Sequence, residues 1–255
     1  MIVASWNVNS IRARLERVLS WIDRMQPDVV CLQETKVVDA DFPAAPFRER
    51  GYELALFGQK TYNGVAILSR LPLSEVRRGL DGETEARFLQ ACCGEHLVVC
   101  SVYVPNGGTV GSETWHYKLA WLDRLCTYLA TYATPETPWL LAGDFNVAPE
   151  ARDVAFPEAW ADSVLFHEEA RRAFGRLLAW GLVDLVRQHH EGPGPYTWWD
   201  YRGLAFPKGD GLRIDHLLAT PPVAARCTAA GVDRDERKGP KPSDHAPVWA
   251  KLQEL

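Results

Sequence analysis

Six short segments of the chain carry acidic, amide, imidazole or phenol side chains at the ends of apolar runs. In chain order they are Trp6-Asn7-Val8-Asn9, Gln33-Glu34-Thr35, Tyr103-Val104-Pro105-Asn106-Gly107, Gly143-Asp144-Phe145-Asn146, Arg213-Ile214-Asp215-His216 and Ser243-Asp244-His245. Hard oxygen donors of this kind are the ligands that Mg²⁺ prefers, and the ion keeps several waters, so one or two carboxylates suffice. The set therefore suits metal-assisted hydrolysis of a phosphodiester.

The residue types suggest how such a reaction would be arranged. Glu34 and Asp244 are the first choices as metal ligands, with Asn7 and Asp144 nearby. A bound metal polarises the phosphate and stabilises the charge that develops on it. Either Asp144 or His245 can take the proton from the attacking water, and the residues alone leave both open.

The remaining polar residues have supporting roles in this hypothesis. Asn146 can orient the water, and Asp215 can hold one nitrogen of His245 and so fix its tautomer. Tyr103 and Asn106 can donate hydrogen bonds to phosphate oxygens. Each residue taken alone also has an ordinary structural interpretation, for example Asn106 as a turn residue. The argument for chemistry comes from the six segments together.

The elements that would position these residues are mostly strands. Strands are predicted at Ile2–Trp6, Asp28–Leu32, Tyr52–Phe57, Gly64–Leu68, Arg87–Cys92, Leu97–Val104, Trp139–Ala142, Thr197–Trp199, Ile214–Ala219 and Ala246–Leu252. Helical periodicity occurs at Ile11–Met25, Trp115–Tyr132 and Glu168–Trp180. Many strands with few helices predict an α/β fold in which two packed mixed sheets are flanked by helices, a four-layer α/β/β/α sandwich. We expect one domain over residues 1–255, with the polar strand ends at one rim.

Composition excludes several other classes of protein. The 255 residues contain no apolar run long enough to span a bilayer and begin without the basic and apolar regions of a signal peptide. The six cysteines form no C-x-x-C pair, which favours reduced thiols over a zinc ribbon. We therefore expect a cytoplasmic monomer. With a net charge of −5, binding to nucleic acid would need a local basic patch or metal ions.

The ordered set of segments resembles the exonuclease III family of apurinic/apyrimidinic endonucleases. The resemblance runs from Ile2 to Leu252 and includes Asn63-Gly64-Val65 and the segment from Tyr196 to Arg202. The wider superfamily, which includes DNase I, shares the Glu, Gly-Asp-x-Asn and Ser-Asp-His parts. The segments that contain Gln33-Glu34-Thr35-Lys36 and Thr197–Tyr201 point to the exonuclease III branch.

The resemblance implies a DNase I-like four-layer sandwich and a requirement for Mg²⁺ or Mn²⁺. It implies that the partner is double-stranded DNA with abasic sites or blocked 3′ ends. Cleavage would fall 5′ to the abasic site, with 3′-end trimming and 3′→5′ exonuclease activity, as in base excision repair. These activities follow from the resemblance and not from composition or spacing.

The resemblance also implies roles for the residues at positions that match the motifs of the family. Glu34 and Asp244 would be metal ligands with Asn7 and Asn9 close by, and Asp144 and Asn146 would border the metal and position and activate water. His245, paired with Asp215, would contact the scissile phosphate or act as the base, ranking second to Asp144. Tyr103 and Asn106 would contact phosphate. The sequence departs from the family at Asn9, where other members often carry Asp, and at Ala155-Phe156, where many carry polar residues.

Contacts to DNA are expected from basic residues near the six segments. Arg12, Lys36, Arg202 and Arg213 are the chosen phosphate contacts, whereas Arg14 and Arg17 are interpreted as a solvated helix face. By resemblance, Trp198 lines the pocket for the abasic sugar. With Leu212 and Ile214 it would form an apolar slot that admits a flipped, baseless sugar, whose extrusion is least costly at damaged sites.

Two alternatives remain open at this point. One is another phosphodiesterase of the same fold that acts on a lipid headgroup or a nucleotide. The other is a DNA-binding protein that keeps the fold without catalysis. The presence of Glu34, Asp144, Asn146, Asp215 and His245 argues against the second alternative, because a scaffold without catalysis has no need of them.

Overall fold

Two six-stranded sheets form the centre of the computed structural model, which describes residues 1–253. The strands are β1 (Ile2–Asn7), β2 (Val29–Gln33), β3 (Glu53–Phe57), β4 (Val65–Ser69), β5 (Leu73–Arg78), β6 (Phe88–Cys93), β7 (Leu97–Tyr103), β8 (Trp139–Asp144), β9 (Val183–Asp184), β10 (Asp215–Ala219), β11 (Cys227–Val232) and β12 (Val248–Leu252). The first sheet has the order β11-β12-β1-β2-β4-β3, and the second has the order β5-β6-β7-β8-β10-β9. Both are mixed, since β1–β2 and β7–β8 are parallel and their other neighbours are antiparallel.

Helices cover the outer faces of the sheets. They are α1 (Ile11–Met25), α2 (Ala45–Arg48), α3 (Glu113–Tyr132), α4 (Pro157–Trp160), α5 (Glu168–Trp180), α6 (Leu185–His189), α7 (Ala205–Lys208) and α8 (Pro221–Ala224). Short 3₁₀ turns lie at Asp39–Asp41, Ala151–Asp153 and Arg234–Arg237. The three long helices were predicted from periodicity, and only α3 differs, beginning two residues earlier at Glu113 because Ser112 caps it.

Alternation along the strands divides the apolar residues among three cores. In β1, Val3 packs in the core between the two sheets, whereas Ala4 packs outward with the buried face of α1. In β8, Leu140 belongs to the core between the sheets and Leu141 to the core under α3 and α5. Because successive side chains of a strand point to opposite faces, each sheet is covered on both sides. The predicted four-layer α/β/β/α sandwich is therefore confirmed.

The strand register places the polar strand ends at one rim. Asn7 at the end of β1 is paired with Gln33 at the end of β2, immediately before Glu34. In the second sheet, Asp144 at the end of β8 is paired both with Tyr103 and with Asp215. Since the two sheets pack face to face, side chains from five strands converge at this rim.

Some predicted elements were wrong or missed. The segment Thr197–Trp199 is not a strand of either sheet, because only isolated bridges join Trp198 to Leu212 and to His245. The strands β5, β9 and β11 were not predicted. Within residues 1–253, no helix is long and apolar enough to cross a membrane.

Candidate active site

The amide of Asn7 joins the two sheets at the centre of the rim. Its Nδ2 atom donates to Oε1 of Glu34 at 2.8 Å and to Oδ2 of Asp144 at 2.9 Å. Asn7 is fully buried, so its two N–H donors are matched by two carboxylates and not by water. Two carboxylates that would otherwise repel each other are thereby held on either side of one amide.

A tight turn after β2 presents Glu34 to the rim. Glu34 adopts a positive φ of 51°, and the following Thr35 donates its N–H to the carbonyl of Gly64 at 3.1 Å. A Cβ on Gly64 would lie 2.1 Å from Oγ1 of Thr35, and Gly64 itself has a φ of 92°. Only glycine fits this close approach, which explains the Asn-Gly-Val segment found in the sequence.

His245 lies between two carboxylates. Its Nδ1 atom is 2.8 Å from Oδ2 of Asp215, and its Nε2 atom is 3.7 Å from Oδ2 of Asp144. Burial alone would lower the pKa of His245, but the charges of Asp215 and Asp144 more than offset it and raise that pKa. Burial, with the charges of Asp215 and Glu34, raises the pKa of Asp144, against the opposing effect of His245 and the Asn7 hydrogen bond. The pair thus retains a proton at neutral pH, held toward the imidazole.

Asp244 faces a different set of partners. Its Oδ1 accepts from Nδ2 of Asn9 at 3.1 Å, and its Oδ2 accepts from Nε1 of Trp198 at 3.0 Å. Burial alone would raise the pKa of Asp244, but the charge of His245 and these two hydrogen bonds lower it. The carboxylate is therefore ionised and oriented, and each oxygen still has a free lone pair for a further ligand.

Lys36 connects Glu34 to the Asn9 side of the site. Its Nζ atom lies 2.8 Å from Oε2 of Glu34 and donates to Oδ1 of Asn9 at 2.6 Å. Both ionic side chains remain partly exposed, at 28% for Lys36 and 18% for Glu34. The lysine thus balances a carboxylate at the point where an anionic substrate or a metal ion would approach.

Asn146 and Asn106 lie on adjacent loops after β8 and β7. The backbone N–H of Asn146 donates to Oδ1 of Asp144 at 2.9 Å, and its Nδ2 donates to the carbonyl of Val104 at 2.9 Å. Nδ2 of Asn106 lies 3.4 Å from Oδ1 of Asn146, and Asn106 is exposed. The two amides therefore form a polar edge from the buried carboxylate Asp144 to solvent.

Tyr103 lies at the end of β7 beside the same carboxylates. Burial, with the charges of Glu34 and Asp144, raises the pKa of Tyr103 well above its usual range. The guanidinium of Arg87 lies 4.9 Å from the centre of its ring and opposes part of this effect. The phenol stays protonated and can donate a hydrogen bond.

The donor set at the centre fits a divalent cation. Ligand atoms of Glu34, Asp144 and His245 all lie within 4.8 Å of one another. Two carboxylates, supplemented by the amide oxygens of Asn7 and Asn9 at the rim, have the hard oxygen chemistry that Mg²⁺ and Mn²⁺ prefer. Asp244, one of the two first choices from the sequence, is not in this group, because its oxygens face Asn9 and Trp198.

Comparisons with known proteins agree with this geometry. The model of the endonuclease/exonuclease/phosphatase family matches residues 4–245. The chain belongs to this family. Exodeoxyribonuclease III of Haemophilus influenzae is 34% identical over 263 residues, which cover 98% of each chain. Within the family the chain is therefore a member of the exodeoxyribonuclease III branch and a phosphodiester hydrolase.

Solved structures of similar proteins have the same fold over the full chain. An AP endonuclease from Archaeoglobus fulgidus is 42% identical, with a TM-score of 0.96 and coverage of 100% of both chains. A 3′ phosphatase from Neisseria bound to a product DNA hairpin is 37% identical, with a TM-score of 0.95 and the same coverage. This chain is similar to both proteins along its whole length.

The predicted DNA contacts of this exonuclease III-type chain divide into exposed and buried residues. Arg12 and Arg202 are exposed and pair with Asp41 at 3.4 Å and Asp200 at 3.0 Å. Arg213 was a wrong choice as a phosphate contact, because only 1% of it is exposed. Its Nε binds Oδ1 of Asp153 at 2.7 Å and its Nη1 binds Oδ2 of Asp184 at 2.7 Å. It neutralises buried carboxylates beneath the site and has no access to a phosphate.

The predicted slot for an abasic sugar is only partly formed. Trp198 is half-buried and lies against the rim through its bond to Asp244. Leu212 and Ile214 are 0% and 1% exposed and belong to the core under α3 and α5. Neither side chain is open to solvent in this structure, and their place in a slot beside Trp198 stays a prediction. Trp160, which packs edge-on against Trp198 at 5.7 Å, is the second accessible aromatic beside it.

The loop at Ala155-Phe156 is anchored at one end and exposed at the other. The N–H of Ala155 donates to the carbonyl of Gly211 at 3.0 Å, whereas Phe156 is 52% exposed. An exposed aromatic ring stands where the family often carries polar residues.

Three basic residues that hold the rim together were missed or misinterpreted. Arg14 and Arg17, interpreted as a solvated helix face, bind backbone carbonyls of the loop before Ser243, including Pro242 at 3.2 Å and Pro240 at 2.9 Å. Arg14 also donates to the carbonyl of Asn9 at 2.6 Å. The third residue, Lys118, was not considered, although it falls in the apolar stripe of α3 with Trp115, Leu122 and Leu125. That position is the signal that could have identified it.

Proposed function

We propose that the protein is a Mg²⁺-dependent DNA repair nuclease that hydrolyses the phosphodiester 5′ to an abasic site. In this proposal Mn²⁺ can replace Mg²⁺, and blocked 3′ ends and 3′-terminal nucleotides are further substrates. We also propose that residues 1–255 act as one catalytic domain and as a monomer. The observation that carries the proposal is the bridge from Asn7 to both Glu34 and Asp144, in a chain similar over its length to an AP endonuclease.

A metal ion would be held in this proposal by Glu34 and Asp144, with Asn7, Asn9, Asn146 and Asp244 around it. When bound, the ion supplies charge that stabilises the phosphoryl oxygens in the transition state. Lys36 would leave Glu34 for the phosphate backbone of DNA as the ion enters, because the two cations compete for Oε2. The net charge at Glu34 then stays balanced in both states.

In this proposal Asp144 activates the attacking water by accepting its proton. Its Oδ1 is oriented by the N–H of Asn146 and its Oδ2 by Asn7, so the carboxylate cannot rotate away. A pKa raised by burial makes Asp144 a stronger base than an exposed carboxylate. The side chain of Asn146 is oriented by the Val104 carbonyl, and the second lone pair of its Oδ1, beside the long contact to Asn106, can orient the water.

In this proposal three hydrogen-bond donors stabilise the negative charge on the scissile phosphate. His245 is protonated and held by Asp215, so its Nε2–H can point at a phosphoryl oxygen. Tyr103 keeps its phenolic proton, and Asn106 has an exposed amide. Preorganised donors of this kind stabilise the transition state because they need no reorganisation during the reaction.

Recognition of the damaged site is assigned to Trp198 and the surrounding loops. Trp198 is fixed by its bond to Asp244 and by Trp160, so it offers a rigid apolar face beside the phosphate site. A baseless sugar can approach such a face, whereas an intact base has to be unstacked at a cost of a few kcal/mol. The similarity to a phosphatase bound to a DNA hairpin supports DNA over a lipid headgroup as substrate.

The decisive experiment is incision of a labelled duplex that carries one tetrahydrofuran abasic analogue. We expect cleavage 5′ to the analogue with Mg²⁺, none with EDTA, and none in the variants Glu34→Ala and Asp144→Asn. An undamaged duplex of the same sequence is the control. Efficient hydrolysis of a lipid headgroup ester or a free nucleotide, without incision of the abasic duplex, would favour the alternative phosphodiesterase.

A further inference from the structure

Lys118 lies in the second turn of α3 and is 0% exposed. Its Nζ atom donates to three backbone carbonyls, those of Asn106 at 3.0 Å, Asn146 at 2.6 Å and Val164 at 2.6 Å. An ammonium group has three N–H donors, so the three carbonyls use all of them. One buried cation thus connects three loops that are distant in sequence.

The loops that Lys118 joins include both amides of the polar edge. Asn106 follows β7, Asn146 follows β8, and Val164 lies in the loop before α5. The stem of the lysine also supports the first loop, because a Cβ on Gly107 would lie 2.8 Å from its Cδ. Lys118 therefore contacts the backbone of both loops, at the carbonyls of Asn106 and Asn146.

The burial of this charge is costly, and no carboxylate in the described residues is in direct contact with it. Among residues 1–253 no Asp or Glu oxygen lies within 4.0 Å of Nζ, and the centre of the Trp115 ring is 5.8 Å away. Burial lowers the pKa of Lys118 to about 7, although the charge of Asp144 opposes the shift. The three carbonyls can only accept, so they favour the ammonium form. An apolar side chain in this space would leave three buried carbonyls without a donor, so the lysine has a role beyond packing.

The backbone of Asn146 shows what Lys118 stabilises. Asn146 has a φ of 51°, a left-handed conformation that is uncommon for residues other than glycine and that Asn adopts more readily than most. Its N–H is held by Asp144 and its carbonyl by Lys118. Without the ammonium, the buried carbonyl would lose the cationic donor that holds it, and the peptide would be free to rotate.

We propose that Lys118 is a positioning residue for phosphodiester hydrolysis, which fixes the amides of Asn106 and Asn146 relative to each other through their carbonyls. The role rests on the proposed function, since it concerns the geometry of the water and phosphate contacts assigned there. Lys118 does not reach the substrate and acts only through these two loops.

The first test compares Lys118→Met with a matched control on the same helix. Leu125→Ala removes a fully buried side chain from the same core, seven residues further along α3. We expect Lys118→Met to lower kcat for abasic-duplex incision by about 10- to 100-fold, since small misplacements of catalytic groups have effects of this size. KM should change less than about threefold, because substrate contacts remain. Leu125→Ala, assayed well below its Tm, should keep kcat near the wild-type value.

A double-mutant cycle with Asn146→Ala separates positioning from loss of stability. If Lys118 acts through Asn146, Lys118→Met should lower kcat by a much smaller factor in the Asn146→Ala background than in the wild-type background. Full additivity, or a kcat for Lys118→Met equal to that of Leu125→Ala, would overturn the proposal. Should Lys118→Met fail to fold, Lys118→Gln is compared in its place, with the same outcomes.

A readout that needs no substrate keeps this inference separate from the proposed function. Hydrogen exchange at the amides of Gly107, Gly108 and Val147 should be faster in Lys118→Met than in wild type and unchanged in Leu125→Ala. If the wild-type protein did not incise abasic DNA, the proposed function would fail. Hydrogen exchange would still test whether Lys118 restrains the loops of Asn106 and Asn146. Unchanged exchange in Lys118→Met would overturn the positioning role.

Discussion

The Nδ1 atom of His245 lies 2.8 Å from Oδ2 of Asp215, with both side chains almost completely buried. The contact directs Nε2 toward Oδ2 of Asp144, 3.7 Å away. Asp215 comes from β10 and His245 from the loop before β12, so the contact also connects the two sheets. The orientation of the imidazole is thus set by a residue on the opposite sheet.

We expect Asp215→Asn to lower kcat for abasic-site incision by about 100-fold or more, the scale of a positioned acid–base group. Of the groups that raise the pKa of His245, Asp215 has the largest effect. Without its charge that pKa falls, and the imidazole loses its proton more readily. Initial rates between pH 6 and 9 measure the effect. The exposed Asp162→Asn is the control, and a kcat for Asp215→Asn within threefold of wild type would contradict the role.

The ion pairs of Arg213 predict how stability depends on pH. Burial alone would raise the pKa of Asp184, but Arg213 and His216 more than offset it and lower that pKa below its value of about 3.9 in the unfolded chain. A carboxylate with a lowered folded-state pKa stabilises the fold fully above pH ~4, and this contribution is lost as the pH falls below that value. Wild-type stability should therefore decrease steeply below pH 4.

Asp184→Asn tests this linkage directly. We expect the free energy of unfolding at pH 7 to fall by about 3–5 kcal/mol, because Arg213 loses one buried partner. The difference from wild type should shrink as the pH is lowered from 4 to 2. Urea unfolding monitored by Trp fluorescence measures both quantities, and a difference independent of pH would show that Asp184 is not the titrating group.

Lys36 is expected to compete with a metal ion for Glu34. The variant Lys36→Met removes the ammonium 2.8 Å from Oε2 of Glu34, so Mn²⁺ should bind the free protein about two- to fivefold more tightly, which is the range for a partly exposed ion pair. Isothermal titration with Mn²⁺ measures this change. Glu34→Gln should abolish binding at the same concentrations, and weaker Mn²⁺ binding in Lys36→Met would contradict the competition.

Salt dependence distinguishes exposed phosphate contacts from distant charges. We expect the rate of incision to fall as the salt concentration rises. In Arg12→Ala, the slope of log affinity for the abasic duplex against log salt concentration should be smaller by about 1. Arg50→Ala is the matched control, because Arg50 binds Asp23 at the far end of α1. An equal change of slope in both variants would show that Arg12 makes no specific phosphate contact.

The sequence predicted those parts of the fold in which local pattern and burial agree. Buried strands such as β1, β2 and β8 are apolar runs, and their polar ends converge because the register is set by the sheets. The edge strand β5 is almost entirely exposed, so its residues LSEVRR have no apolar pattern. The strand β11 contains small residues, CTAAGV, which carry little strand preference.

The parts of the site that escaped prediction depend on partners far along the chain. Arginine is usually found at the protein surface, and only the fold brings Asp153 and Asp184 into contact with Arg213. Lys118 likewise gains its three acceptors from loops that the sequence does not place near α3. The convergence of Asn7, Glu34 and Asp144 was predictable because each lies at the end of a strand or directly after it, whereas the hydrogen-bond partners of buried cations depend on tertiary packing.

The pairing of β1 with β12 joins segments almost 250 residues apart, from Ile2 with Lys251 to Ser5 with Val248. The edge of β1 that pairs with β12 therefore stays open during translation until β12 has left the ribosome. Asp244 and His245 come just before β12 in the chain. A nascent chain that ends before these two residues thus carries Glu34 and Asp144 without the imidazole, and the site is assembled only after both have been synthesised.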